Sequence, residues 1–192
     1  MNLKTKIEEP FTVAGTISNK ILIFDIDDTL IYSNATIYVV KDGKRIKELT
    51  PAEYNNYVWQ EGESFDYSNF DSSKLLNSAN FTKYWDTLKR EYAKGTHIAI
   101  LTARGKPAMI KKFFLNNGID IKDDLIFCCA YSKFPWKGPI QYKKAKVIEY
   151  LTLLGYNTLV FFDDNLYNLK MAKQLEDLYS TIKIITVHAK IN

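Results

Sequence analysis

The chain predicts an α/β protein: a doubly wound parallel sheet with a small hairpin-and-helix cap inserted after the first strand. Three observations predict it. Five short apolar runs, Ile21–Phe24, Ile98–Leu101, Leu125–Cys129, Leu159–Phe162 and Ile182–Val187, are mostly continuous instead of alternating, as strands covered on both faces should be. Segments with apolar residues at helical spacing lie between them, and strand–helix alternation with such crossovers favours parallel pairing. The clusters IFDIDDT, LTAR and FFDDN follow the first, second and fourth runs. Acidic and polar groups therefore gather at the carboxyl ends of strands, where open α/β sheets bind ligands.

The first run, in ILIFDIDDTL, ends on Asp25, Asp27 and Asp28. Three carboxylates beside a core repel one another unless something offsets their charge, and a metal ion is the obvious candidate. Residues 31 to about 80 break the alternation. ATIYVVKDGKRIKEL reads as a β-hairpin turning at Lys41-Asp42-Gly43-Lys44. Thr50-Pro51-Ala52-Glu53 opens a short helix with a capping box, and EGESFDYSNFDSSK is polar and loop-like. This stretch, 31–80, is expected to be a cap within a single domain spanning 1–192.

Before the second run, Tyr84, Trp85, Leu88 and Tyr92 share a helix face. Pro107 suits the first turn of a helix carrying Met109, Ile110, Phe113 and Phe114, and Asn117-Gly118 suits its end. Val147, Ile148, Leu151 and Leu154 form a stripe closing at Gly155; Leu166, Leu169, Ala172 and Leu175 form the last. Residues 131–142 are too few for a second cap.

Hydrophobic content of 46% and charged content of 25% over 192 residues belong to a globular chain, not a disordered one. No apolar run approaches the roughly 18–20 residues that span a membrane, and MNLKTKIEEPFTVAG has no continuous apolar core of a signal peptide. The adjacent Cys128 and Cys129 read as small buried hydrophobes, which points to a reducing, cytoplasmic setting without disulfides. A net charge of +4 fits a phosphate-bearing substrate without requiring nucleic acid.

Asp25 and Asp27, two apart at a strand end, project from one loop, and Asp163 and Asp164 would complete an acidic bowl. Mg²⁺ takes oxygen ligands and leaves positions open for substrate phosphate. Asp25 can then attack phosphorus, and Asp27 can serve as general acid and base. Thr102 would hydrogen-bond the transferring phosphoryl group while a lysine offsets its charge.

FDIDDTL, ILTAR, a following lysine and FFDDN, in this order from about residue 20 to 175, resemble the four motifs of the haloacid dehalogenase (HAD) superfamily. The resemblance implies a HAD-like Rossmannoid fold and a Mg²⁺-dependent phosphatase. It makes Asp25 the nucleophile, Asp27 the acid/base and a metal ligand through its backbone carbonyl, and Thr102 the phosphoryl binder. Ala103 and Arg104 would adjoin the substrate, Arg104 alternatively forming a salt bridge. The paired acids of FFDDN make Asp164 the direct metal ligand and Asp163 its close support. Family members set apolar residues three, four and seven positions after the motif lysine, which favours Lys144, ahead of Val147, Ile148 and Leu151, over Lys143 and Lys146. Asp28 stands where many members have Gly.

The bland reading, turns and helix caps at strand ends, explains each of these residues alone but not all together. For Asn165 and Asn168 that structural reading is preferred. His97 and His188 lack metal-ligand partners at suitable spacing. Lys41, Lys44, Arg45 and Lys47 read as a solvated hairpin face. Of Tyr38, Tyr54, Tyr57, Trp59, Phe65, Tyr67 and Phe70, most should form the cap's own core and one or two face the site. The expected function is phosphate-ester hydrolysis on a nucleotide or a polynucleotide end. The chain also resembles small bacteriophage-encoded HAD proteins and polynucleotide 3′-phosphatase domains. Alternatives are a sugar or metabolite phosphatase, or a catalytically idle HAD-fold binding module.

Overall fold

A computed structural model describes residues 19–190; MNLKTKIEEPFTVAG lies outside the described residues. Along the chain run β1 (Lys20–Phe24), β2 (Ile37–Lys41), β3 (Lys44–Leu49), α1 (Pro51–Asn55), β4 (Glu63–Asp66), α2 (Ser73–Ser78), α3 (Lys83–Ala93), β5 (His97–Thr102), α4 (Pro107–Asn116), β6 (Ile126–Cys128), α5 (Ile140–Leu153), β7 (Thr158–Asp163), α6 (Leu166–Lys173) and β8 (Lys183–His188).

Five strands form a parallel sheet in the order β6-β5-β1-β7-β8. The chain winds outward from β1 through β5 to β6, then returns to place β7 on the other side of β1. The order reverses between β1 and β7, and a crevice opens there at the carboxyl edge of a Rossmann-like sheet.

The apolar runs are continuous because both faces are covered. Leu22 and Phe24 of β1 join Trp85 and Leu88 of α3 and Ile110, Phe113 and Phe114 of α4. Ile21 and Ile23 join Val147, Ile148 and Leu151 of α5 and Leu169 and Ala172 of α6. Phe24 and Phe162 stack across the switch point with ring centroids 4.4 Å apart, fixing β1 against β7 just behind the acidic clusters.

Between β1 and α3 lies a three-stranded antiparallel sheet in the order β3-β2-β4. The β2–β3 hairpin turns through Asp42 (φ 49°) and Gly43 (φ 72°), the left-handed pair that a two-residue turn requires. Thr50 and Glu53 cap α1 reciprocally. This sheet has a separate core of Ala35, Ile37, Val39, Leu49 and Phe70, against which Tyr54, Tyr57 and Phe65 pack.

Three details depart from the sequence reading. The segment EGESFDYSNFDSSK is not a plain loop: it carries β4, a 3-10 turn at Ser68–Asp71 and the start of α2. Only four residues of it pair, and all but Phe65 have polar side chains, so the backbone bonds to β2 hold a strand that side-chain patterning does not announce. Leu166 is 63% exposed, because it stands in the first turn of α6 beyond the sheet edge. The third run is trimmed to β6, with a 3-10 turn at Asp123–Leu125 taking its start. Among the described residues no helix is long and apolar enough to cross a membrane.

Candidate functional site

The first acidic loop leaves β1 beside β7: the Asp25 amide donates to the Phe162 carbonyl at 3.0 Å. Asp25 is thereby held at the switch point, almost wholly buried. The loop then turns sharply. Asp28 takes φ 54°, its amide donates to the Ile31 carbonyl, and its Oδ1 accepts from the Ser33 amide at 3.0 Å. A left-handed residue is required here, which is why Gly suits the position and why Asp, with its local hydrogen bond, is tolerated.

β7 ends on Asp163, which is fully buried and extensively hydrogen-bonded. Its Oδ1 accepts from the Asn165 amide and from Asn168 Nδ2, both at 2.9 Å. Asn165 also caps α6, accepting from the Tyr167 amide. Asn168, read from sequence as a structural residue, thus anchors one of the clustered acids. Asp164 follows, more exposed, with the His188 ring against its carbonyl at 2.9 Å.

Lys144 reaches both acids from the buried face of α5, Nζ lying 3.0 Å from Asp25 Oδ1 and 2.7 Å from Asp163 Oδ2. The neighbouring lysines point elsewhere. Lys143 donates to the Cys129 carbonyl and Lys146 to Glu149. The helix face bearing Val147, Ile148 and Leu151 is buried together with Lys144, so helical spacing alone separates the three lysines.

Carboxylate oxygens of Asp25, Asp163 and Asp164 come within 4.8 Å of one another. The Lys144 ammonium is ion-paired with two of them, Asp25 and Asp163. Burial, only partly offset by Lys144, holds the Asp25 carboxyl well above the usual range. Burial and the neighbouring Asp163 push Asp164 up to about 7. Burial works against the charge of Lys144, but Asp163 and Asp25 outweigh it and keep the amine protonated. A compact all-oxygen, acid-rich set with surplus negative charge fits a hard divalent cation such as Mg²⁺.

The Asp27 carboxylate is engaged elsewhere. Both of its oxygens accept from Arg104, from Nε at 2.8 Å and from Nη2 at 2.6 Å. Of the four acids expected at a metal, three cluster through their side chains and Asp27 pairs with arginine. Thr102 ends β5 fully buried, its hydroxyl accepting from the Arg104 amide at 3.2 Å. Ala103 and Arg104, but not Thr102, line the adjoining cavity. The backbone passes closely here: a Cβ on Gly105 would sit 3.2 Å from the Ala130 carbonyl oxygen.

That cavity, about 480 Å³, lies between the carboxyl edge and the inserted sheet. Asp25, Asp27, Lys144 and Asp164 form its floor; Tyr54, Tyr67 and Phe70 contribute from the insertion. The Tyr54 and Tyr67 hydroxyls hydrogen-bond at 2.6 Å. Tyr131 and Ser132, on an irregular loop, and Gln141, in the first turn of α5, also line it, and neither motif nor apolar periodicity marks them in the sequence. Trp59 does not reach the cavity; it is 56% exposed and donates to the Glu63 carbonyl. Arg45 pairs with Asp66 at 2.6 Å on the outer hairpin. The cysteines are free and buried.

No protein-family model matches the chain, and no curated protein matches it. A solved structure, the crystal structure of hypothetical protein PH1952 from Pyrococcus horikoshii OT3, is similar at 15% identity and a TM-score of 0.27. The similarity covers 86% of this chain and 40% of that one, so the chain spans less than half of that protein's length. So distant a likeness bears on neither fold nor activity.

Proposed function

We propose that the protein is a Mg²⁺-dependent phosphomonoesterase of the HAD type, working through an aspartyl-phosphate on Asp25. The observation that carries this reading is the double contact of Lys144 with Asp25 and Asp163 beneath a ligand-sized cavity. A buried lysine spanning two acids at a topological switch point is costly to build for stability alone.

Asp25, Asp163 and Asp164 would hold the cation, joined by the Asp27 carbonyl that the motif resemblance implies. When bound, the ion supplies charge neutralisation that lets a phosphate dianion approach the acids. An Asp25 oxygen attacks phosphorus, forming the O–P bond while the ester O–P bond breaks. Asp27 gives its proton to the leaving oxygen. Asp27 then takes a proton from water as the water oxygen bonds phosphorus and Asp25 is released. Lys144 counters charge on the transferring group from a fixed, dry position.

The insertion acts in this reading as a cap. Tyr54, Tyr67 and Phe70 favour an ester with a planar, partly apolar alcohol component, such as a nucleotide or a polynucleotide end. A panel of p-nitrophenyl phosphate, nucleoside monophosphates, 3′- and 5′-phosphorylated oligonucleotides and sugar phosphates tests this. Mg²⁺-dependent phosphate release, fastest from a nucleotide or oligonucleotide, is expected. Release fastest from sugar phosphates would overturn the substrate class, and no release from any ester would overturn the activity.

A further inference from the structure

Arg104 sits where three parts of the molecule meet. Its side chain is only 1% exposed, yet it belongs to the short loop after β5. The guanidinium forks onto Asp27 through Nε and Nη2. The remaining arm, Nη1, donates to the carbonyl of Phe70 in the insertion. The guanidinium also lies 5.4 Å from the Phe70 ring centroid, and its own amide is tied to the Thr102 hydroxyl. A planar fork bonded at two oxygens fixes both the direction and the rotation of the carboxylate it holds, which a lysine cannot do.

We propose that Arg104 is a positioning residue for Asp27, and that it ties the aim of that carboxylate to the seating of the insertion through the Phe70 carbonyl. This rests on the phosphatase reading above, in which Asp27 handles the proton of the leaving group. The insertion then does more than cover the site. A shift of the Phe70 backbone moves the guanidinium, and the guanidinium moves the acid. Substrate seated against Phe70 therefore bears on the aim of the acid through Arg104. Arg104 is accordingly assigned to orienting Asp27, not to gripping substrate, since its side-chain donors point at Asp27 and Phe70.

Leaving-group dependence tests this in the 192-residue chain. An alkyl phosphate needs a proton delivered to its leaving oxygen, whereas p-nitrophenyl phosphate expels a stable phenolate without one. Arg104→Ala is expected to lose about 10²-fold or more in kcat/KM on an alkyl phosphate, the scale of general acid catalysis. That quantity covers the steps up to release of the alcohol and not the dephosphorylation both esters share. On p-nitrophenyl phosphate it should lose only a few-fold, which also reports that the variant is folded. Arg104→Lys, which keeps the charge without the fork, should show the same selective loss and decides the matter if the alanine variant does not fold. In an Asp27→Asn background Arg104→Ala should add little on the alkyl ester, because both changes remove one function. Equal losses on both esters, or additive losses with Asp27→Asn, would overturn the inference while leaving the phosphatase intact. Wild-type protein that hydrolyses neither ester would overturn the phosphatase reading and the inference with it.

Discussion

Lys144 and Asp25, 119 positions apart in the chain, meet at 3.0 Å between Nζ and Oδ1, and both are buried. Lys144 comes from the middle of a helix and Asp25 from the end of the central strand. The parallel sheet brings them together by placing β7 beside β1 and α5 across one face.

Replacing Lys144 by Ala is expected to lower phosphate release about 10²–10³-fold, the usual effect of removing one fixed group that stabilises transition-state charge. Lys143→Ala and Lys146→Ala should stay within a few-fold, because those amines are bonded to Cys129 and Glu149. Steady-state rates of the three variants check this; a larger loss at Lys143 or Lys146 would reverse the assignment.

Metal binding should separate the acids. Asp164→Asn removes one of the three clustered carboxylates and is expected to weaken Mg²⁺ or Mn²⁺ binding at least tenfold. Asp27→Asn should leave binding nearly unchanged, because that side chain faces Arg104. Titration calorimetry of the two variants beside the wild type reads the difference directly. Equal loss in both would place the Asp27 side chain at the ion.

Much of this site is legible in the sequence, for a physical reason. Asp163 and Lys144 belong to regular elements and Asp25 directly follows one, so strand ends and helical spacing fix where they go before any tertiary contact is known. The Arg104–Asp27 pair is not legible, because it depends on how two loops 77 residues apart approach each other. The strand β4 is equally hidden: its pairing is a backbone property, and its side chains look like those of a loop. The stripe of α6 predicts a buried Leu166, but helical spacing cannot tell where the covering sheet stops.

The left-handed turn at Asp28 gives a stability prediction. Asp28→Ala keeps the unfavourable φ of 54° and loses the Ser33 hydrogen bond, so it should destabilise the fold by about 1–2 kcal/mol. Asp28→Gly relieves the backbone and should cost less. Denaturant unfolding of both variants checks the order, and an alanine variant as stable as the wild type would contradict it.

Acid should loosen the insertion through Asp66. The Ser68 amide and hydroxyl, then Arg45, hold its carboxyl down at about 2. A carboxyl lower in the folded chain than in the unfolded one, where it is near 3.9, adds stability above that value. The contribution disappears as pH falls from about 4 toward 2. A carboxyl-resolved NMR titration should place the Asp66 midpoint near 2 and move it upward in Arg45→Ala; a wild-type midpoint near 4 would contradict the hydrogen bonding.

The central claim is that phosphorus is transferred to Asp25. Its most direct measurement is mass spectrometry of Asp27→Asn protein, acid-quenched shortly after mixing with Mg²⁺ and an ester that the wild type hydrolyses. With the proton carrier removed, dephosphorylation should lag, and a phosphoryl group is expected on the peptide carrying Asp25, absent when Asp25→Asn is added. A phosphoryl group on another residue, or wild-type turnover by the Asp25→Asn protein, would contradict the account.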